Sequence, residues 1–541
     1  MNRRNFIKNG AAASVISTLG IGTASALSLS PTTTATAEKS FADNFDLNEV
    51  TVNQLQDMMQ NGKLSAKALA KMYLKRIKEI DKSGPKLNAV IELNPDALTI
   101  ASAMDAERKL GKIRGPLHGI PILIKDNIDT ADQMQTTAGS LALAGNIASA
   151  DAFIVKKLRD AGAVILGKTN LSEWANFRST RSCSGWSSRG GQTKNPYILD
   201  RSPSGSSAGS GTAVSANLCA AAIGTETSGS IIAPSSYSGI VGFKPTVGLL
   251  SRSGIIPISK TQDTAGPMTR TVTDAAILLS VMVGVDQEDD ATKTSIGKTY
   301  PDYTVFLKAD SLKGKKIGIE KSYLNGHEGV VALYKNAIDK FKELGAQIVE
   351  IELLKEMRSI NASVLQPEFK AGVNAYLAKA NAKVKTLSDV IAYNKANEGT
   401  AMPYFKQETL EASDKAPDLD STVYKDALAK VISSRKIIND LMEKNQLDAI
   451  VSTSYGIPSL IDLFNGDYGG GFYFASPAAM AGFPHITVPM GRINELPVGL
   501  SIMASAYQEP VVLSIAYTFE QATKHRAAPK FIRNSNFSSG I

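Results

Sequence analysis

From residue 115 onward the chain repeats one texture: a short, mostly apolar run, a Gly- or Pro-bearing turn, a helical stretch, then another run. The runs fall at 120–124, 163–166, 219–223, 239–243, 317–319, 347–351, 449–452, 486–489 and 499–503. A strand that alternates apolar with polar residues can face water on one side. A continuous apolar strand cannot, and must be covered on both faces. Helical periodicity over 151–160, 273–283 and 331–344 supplies the cover, so the pattern predicts an α/β chain with helices on both faces of a sheet. Two helices precede this region. One is expected over 51–60, ending at Asn61-Gly62. The next has Ser65 as N-cap and Leu69, Met72, Tyr73, Arg76 and Ile77 at helical spacing. A further helix is expected over 97–109. Residues 355–445 read as mainly helical and polar.

Composition narrows the chemistry. Two cysteines, Cys183 and Cys219, exclude a disulfide framework and a four-cysteine zinc site. Four histidines in 541 residues (His118, His327, His485, His525) leave few candidates for a histidine base. The net charge is +8, but residues 1–37 carry Arg3, Arg4 and Lys8 with no acidic residue, so their removal lowers it to +5. No long basic run lies elsewhere, and no nucleic-acid partner is expected.

The N terminus reads Arg3-Arg4-Asn5-Phe6-Ile7-Lys8, followed by a small-residue apolar stretch over 11–27. That stretch is too short and too rich in Gly, Ser and Thr for a membrane span. Ala24-Ser25-Ala26 and Ala35-Thr36-Ala37 fit small-residue cleavage sites. The paired arginines resemble a twin-arginine signal. The expectation is a signal over 1–37 cleaved after Ala26 or Ala37, with the twin-arginine export machinery as a partner before processing. The mature chain, 38–541, is then periplasmic or secreted, with no stable membrane anchor.

Two motif matches fail on mechanism. Gly162 to Thr169 fits the phosphate-loop pattern G-x-x-x-x-G-K-T, but its middle residues Ala163-Val164-Ile165-Leu166 read as a buried strand, not a flexible anion cradle. Gly205-Ser206-Ser207-Ala208-Gly209 fits G-x-S-x-G, but a polar loop with Pro196 and Pro203 precedes it where a nucleophile elbow needs a strand.

The remaining constellation is two Ser/Gly-rich segments, 202–211 and 224–231, and a lysine at the end of an apolar run, Lys125-Asp126-Asn127. Small residues alone make turns without chemistry. A lysine at the end of a buried strand is partly desolvated, which lowers its pKa and lets it accept a proton from a serine.

The joint pattern resembles the amidase signature family. The resemblance runs through Gly119-Ile120-Pro121, Lys125-Asp126-Asn127, both Ser/Gly segments, Gly239 to Thr246, Asp263 to Met268, Ala481-Gly482-Phe483-Pro484 and Leu496 to Leu500. It covers roughly residues 45–530. It implies one large α/β/α domain with a mixed central sheet, and a Ser-cisSer-Lys triad without metal or cofactor. Ser230 would be the nucleophile, Ser206 the bridge through a cis peptide, and Lys125 the base. Backbone N–H groups of Thr227, Ser228, Gly229 and Ser230 would form the oxyanion hole, with Ser207 and Asp263 in support. Glu226, Ser228, Ile232, Ser204 and Ala208 depart from residues common in the family; none removes a triad member. The runs Glu226 to Ile231 and Glu368 to Tyr376 look most like the peptide amidase branch, which removes ammonia from C-terminal peptide amides. Residues 355–445 would lie on the substrate side. Three other readings stay open: an amidase of small aliphatic or aryl amides, an A subunit of the tRNA amidotransferase, and a non-catalytic binding protein on the same scaffold.

Overall fold

The computed structural model describes residues 44–534. The signal expected over 1–37 lies outside them. All nine apolar runs become strands of one 11-stranded mixed sheet. In chain order the strands are β1 (Val90–Leu93), β2 (Pro121–Lys125) and β3 (Val164–Thr169), then a separate two-stranded ribbon, β4 (Trp186–Ser187) with β5 (Gly191–Gln192). They continue as β6 (Ala221–Glu226), β7 (Val241–Lys244), β8 (Thr264–Thr269), β9 (Lys316–Glu320), β10 (Gln347–Ile351), β11 (Ala449–Thr453), β12 (His485–Ile493) and β13 (Leu496–Met503). Across the sheet the order is β1-β3-β2-β6-β8-β7-β12-β13-β11-β9-β10. The pairs β2/β3, β2/β6, β9/β10 and β9/β11 are parallel and the others antiparallel.

Every residue of β2, β3, β6, β7 and β8 is buried. Successive side chains point to opposite faces, so such strands are covered on both sides. The cover comes from α1 (Val52–Gln60), α2 (Ala66–Arg76), α3 (Ala97–Lys109), α4 (Phe153–Asp160), α5 (Ala208–Ser215), α6 (Ile232–Tyr237), α7 (Val272–Met282), α8 (Glu328–Glu343) and later helices. The first two start where expected, the second at the predicted cap Ser65. Thr51 and Gln54 form a capping box, and Ser65 Oγ accepts from Ala68 N–H at 3.1 Å. Residues 355–445 are helical, chiefly Leu365–Lys379, Leu387–Ala396, Glu408–Asp414 and Thr422–Asn445. No helix among the described residues is long and apolar enough to cross a membrane.

Besides the β4/β5 ribbon, two strands of the large sheet escape the sequence pattern. Edge strand β1 is short and half-exposed. Strand β8 reads Thr-Ala-Gly-Pro-Met-Thr, and its Gly-Pro step looks like a turn. Yet it pairs with β6 from Met268 to Thr264, which carries β6 past the expected end at 223 to Glu226. The phosphate-loop match is strand β3, and Lys168 is buried, its Nζ donating to the Ile128 carbonyl at 2.6 Å and Thr136 Oγ1 at 3.0 Å. Before Gly205 there is loop, not strand, as the rejection of the elbow requires.

Candidate active site

Lys125 is the last residue of β2. Its parallel neighbour β6 pairs Ile124 with Ile223, so the carboxyl ends of both strands emerge together, where open α/β sheets place their ligands. Lys125 is fully buried. Its Nζ lies 2.8 Å from Ser206 Oγ, 2.7 Å from Thr225 Oγ1 and 3.3 Å from the Thr225 carbonyl. Among the described residues no carboxylate touches it. Burial pushes its pKa down from 10.5 to about 7, against the more distant negative charges of Asp263 and Glu226. A neutral amine here has two N–H donors and a lone pair for three oxygen neighbours, and the lone pair can take a hydroxyl proton.

Ser206 arrives on the loop that leads into α5, and its peptide bond to Gly205 is cis. Ser207 ties this loop to its neighbours. Its N–H donates to the Ser230 carbonyl at 3.1 Å, and its Oγ donates to the Thr225 carbonyl at 3.1 Å and accepts from Thr225 N–H at 3.2 Å.

Ser230 lies between β6 and α6 on the wall of a cavity of about 310 Å³, which Gly205, Thr227, Ser228 and Gly229 also line. Among the described residues, no main-chain N–H from Thr227 to Ser230 donates to another protein group. Four uncommitted donors in sequence, on residues that line a cavity, are what an anion cradle needs. Gly229 makes the turn possible: its φ is +79°, and a Cβ there would sit 2.6 Å from the Tyr473 hydroxyl. Glu226 holds the far side of the loop, its Oε2 accepting from Ile231 N–H at 2.8 Å and Ile232 N–H at 3.0 Å. The Ser206 and Ser230 hydroxyls are not hydrogen-bonded to each other in this state; such bonds commonly form only when substrate is seated.

Asp263 braces the same turn. Its Oδ1 accepts from Thr227 Oγ1 at 2.5 Å, and its Oδ2 from Ile258 N–H at 2.7 Å and Ser259 N–H at 2.8 Å. Burial raises its pKa to about 6, partly offset by these bonds. Glu368, on the helix Leu365–Lys379, accepts from Ser259 Oγ, Thr261 and Tyr424 OH, and so docks the helical region 355–445 onto the Asp263 segment. Leu365 of that helix lines the cavity.

Thr227 to Ser230 therefore line one cavity, with Lys125, Ser206 and Ser207 hydrogen-bonded together behind its wall and Asp263, on a neighbouring cavity, bonded to Thr227. Three residues of the site carry no sequence signal. Thr225 contacts Lys125, Tyr473 bonds Ser228 Oγ at 2.9 Å from 245 positions away, and Asp467 stands on the cavity wall. Among the described residues no histidine lines the cavity. His485 is buried in the core, its Nε2 2.6 Å from Ser501 Oγ.

Residues 68–513 match the family described as Amidase. A probable amidase of Arabidopsis thaliana is 40% identical over 95% of this chain and 95% of its own length. The X-ray structure of native peptide amidase from Stenotrophomonas maltophilia is 46% identical, with a TM-score of 0.86, covering 90% of this chain and 99% of that one. An amidase family protein from Bacillus anthracis is 38% identical at a TM-score of 0.82, covering 89% and 92%. Fold, site and relatives define an enzyme that hydrolyses amide C–N bonds. The chain belongs to the amidase signature family.

Proposed function

We propose that the chain is an exported amidase that releases ammonia from C-terminal peptide amides, with Ser230 as nucleophile and Lys125 as base through Ser206. The observation that carries the chemistry is the Lys125 environment. Among the described residues, a fully buried lysine with its pKa pushed down to about 7 contacts a serine hydroxyl and no carboxylate, near a cavity lined by a second serine and by four residues whose N–H groups have no protein acceptor.

In this reading Ser230 Oγ attacks the amide carbonyl carbon. Its proton moves to Ser206 as the Ser206 proton moves to Lys125. The oxyanion sits among the N–H groups of Thr227 to Ser230. The C–N bond then breaks as Lys125, through Ser206, returns the proton to the leaving nitrogen, and ammonia departs. Water, deprotonated by the same relay, hydrolyses the acyl-Ser230 ester. No cofactor takes part. The peptide amide is favoured by the likeness to the S. maltophilia enzyme, and export by the sequence of residues 1–37.

Mature protein should release ammonia from a C-terminally amidated dipeptide. Ser230→Ala should lower that rate by on the order of 10⁴-fold or more. A Ser230→Ala protein with full activity would sink the mechanism. For export, a mature N terminus at residue 27 or 38 in a periplasmic fraction is the expected result; an intact Met1 chain confined to the cytosol would refute it.

A further inference from the structure

The cavity beside Ser230 is walled by hydroxyls, small residues and rings, and among the described residues that line it Asp467 alone carries a charge. Asp467 sits on the segment between β11 and the helix Ala475–Ala481, far in sequence from every residue of the proposed triad. Its carboxylate is held in place: Ser184 N–H donates to Oδ1 at 2.8 Å and Ser184 Oγ to Oδ2 at 2.5 Å. Ser184 also lines the cavity, and Asn176 Nδ2 donates to its Oγ at 3.0 Å. No lysine or arginine pairs with Asp467 among the described residues. The site thus orients a carboxylate with two neutral donors and leaves its charge uncompensated by protein.

The rings point the same way. Tyr237 and Tyr455 meet edge to face with centroids 5.0 Å apart, and Tyr455 and Tyr473 likewise at 5.5 Å. All three line the cavity. Burial first, and then the nearby Asp467 carboxylate, push the Tyr455 phenol above its ordinary range, so rings and carboxylate share one neighbourhood. A fixed carboxylate with no protein cation beside it favours a cation and disfavours an anion, and any tyrosine face turned to the cavity adds to that preference.

We infer, on the amide-hydrolase reading above, that Asp467 is a specificity residue and that the preferred substrates are amides whose acyl part carries a positive charge near the scissile bond. The charge has two chemical sources, a free α-ammonium or a basic side chain. In either case it enters with the acyl group, so it is present when Ser230 is acylated and departs with the acid product. Anionic acyl groups are rejected by the same carboxylate.

The test compares kcat/KM for acetyl-L-lysinamide, acetyl-L-norleucinamide, L-norleucinamide and acetyl-L-glutamic α-amide in the wild type and in Asp467→Asn. The expected wild-type result is a preference on the order of tenfold for one of the two cationic amides over acetyl-norleucinamide, with the glutamyl amide slowest. Which cationic amide wins identifies the source of the charge. Asp467→Asn should bring the cationic-to-neutral ratio to about one and relieve the discrimination against the glutamyl amide, a change that loss of folding would not produce. Equal rates on cationic and neutral amides in the wild type, or a ratio unchanged in Asp467→Asn, would overturn the inference while leaving the amidase reading intact. No hydrolysis of any of the four would instead count against the peptide-amide reading.

Discussion

Two fully buried lysines stand on adjacent parallel strands, and their surroundings divide a proposed base from a structural cation. Lys125 pairs in register with Thr169, and Lys168 with Ile124, so the two side chains leave the sheet on opposite faces. On its face Lys168 meets the Ile128 carbonyl and Thr136 Oγ1, and Asp126, Asp129 and Asp132 act on it electrostatically. Burial lowers its pKa, and those carboxylates pull against the shift. Lys125 meets Ser206 and Thr225 and, among the described residues, no carboxylate, and Gly205 next to Ser206 lines the cavity. Burial alone therefore does not define a base. A hydroxyl neighbour does not define one either, since Lys168 has Thr136; what separates the two is that the hydroxyl beside Lys125 belongs to Ser206, whose neighbour Gly205 lines the cavity that holds Ser230.

The largest effect expected from this contrast is at Lys125. Lys125→Ala should lower kcat/KM for an amidated dipeptide by about 10²–10⁴-fold with an unchanged circular dichroism spectrum. Lys125→Arg should be no better, because a guanidinium does not give up its proton. An active arginine variant would break the distinction drawn here. Lys168→Met should do the reverse. It removes two buried hydrogen bonds and leaves the Ile128 carbonyl and Thr136 hydroxyl only one long bond to each other, at about 1–3 kcal/mol in all, so the melting temperature falls while the rate on folded protein changes only a few-fold. If Lys168→Met instead matched Lys125→Ala in rate, both lysines would belong to one catalytic network.

The pH profile sharpens the contrast further. A base must be neutral, so kcat/KM should rise with pH through an apparent pKa near 7 and level off above it. Ionisation of Asp263, whose pKa is raised to about 6, works against this rise, because its negative charge favours the ammonium form of Lys125. Thr225→Val gives the smallest effect. It removes an acceptor that favours the ammonium form of Lys125, so the midpoint should move to lower pH, with a loss of roughly five- to tenfold in rate from a less well-held amine. A shift to higher pH would contradict the proposed role of Thr225.

The sheet was largely legible because its strands are buried on both faces and so read as apolar runs. The helix over 97–109 and strand 347–351 fall where the pattern puts them. Strand β8 was not legible, because Gly266 and Pro267 mimic a turn; Gly266 has no Cβ because the Phe243 carbonyl would lie 2.0 Å from it. Lys125, Ser206 and Ser230 were recognisable as a set because their loops carry unusual local sequence and follow one another in a recognisable order. Thr225, Tyr473 and Asp467 were hidden for opposite reasons. Thr225 looks like one more small polar residue in a Gly/Ser/Thr stretch. Tyr473 and Asp467 reach the cavity only through the fold, on a segment whose nearest apolar runs give no hint of a site.

The most direct test of the proposed mechanism is covalent. Mature protein treated with a fluorophosphonate should gain a single adduct by intact mass, mapping to Ser230 on digestion, with ammonia release lost in step. Labelling should slow sharply in Lys125→Ala. An adduct on another residue, or no adduct in protein that still hydrolyses amides, would contradict the account.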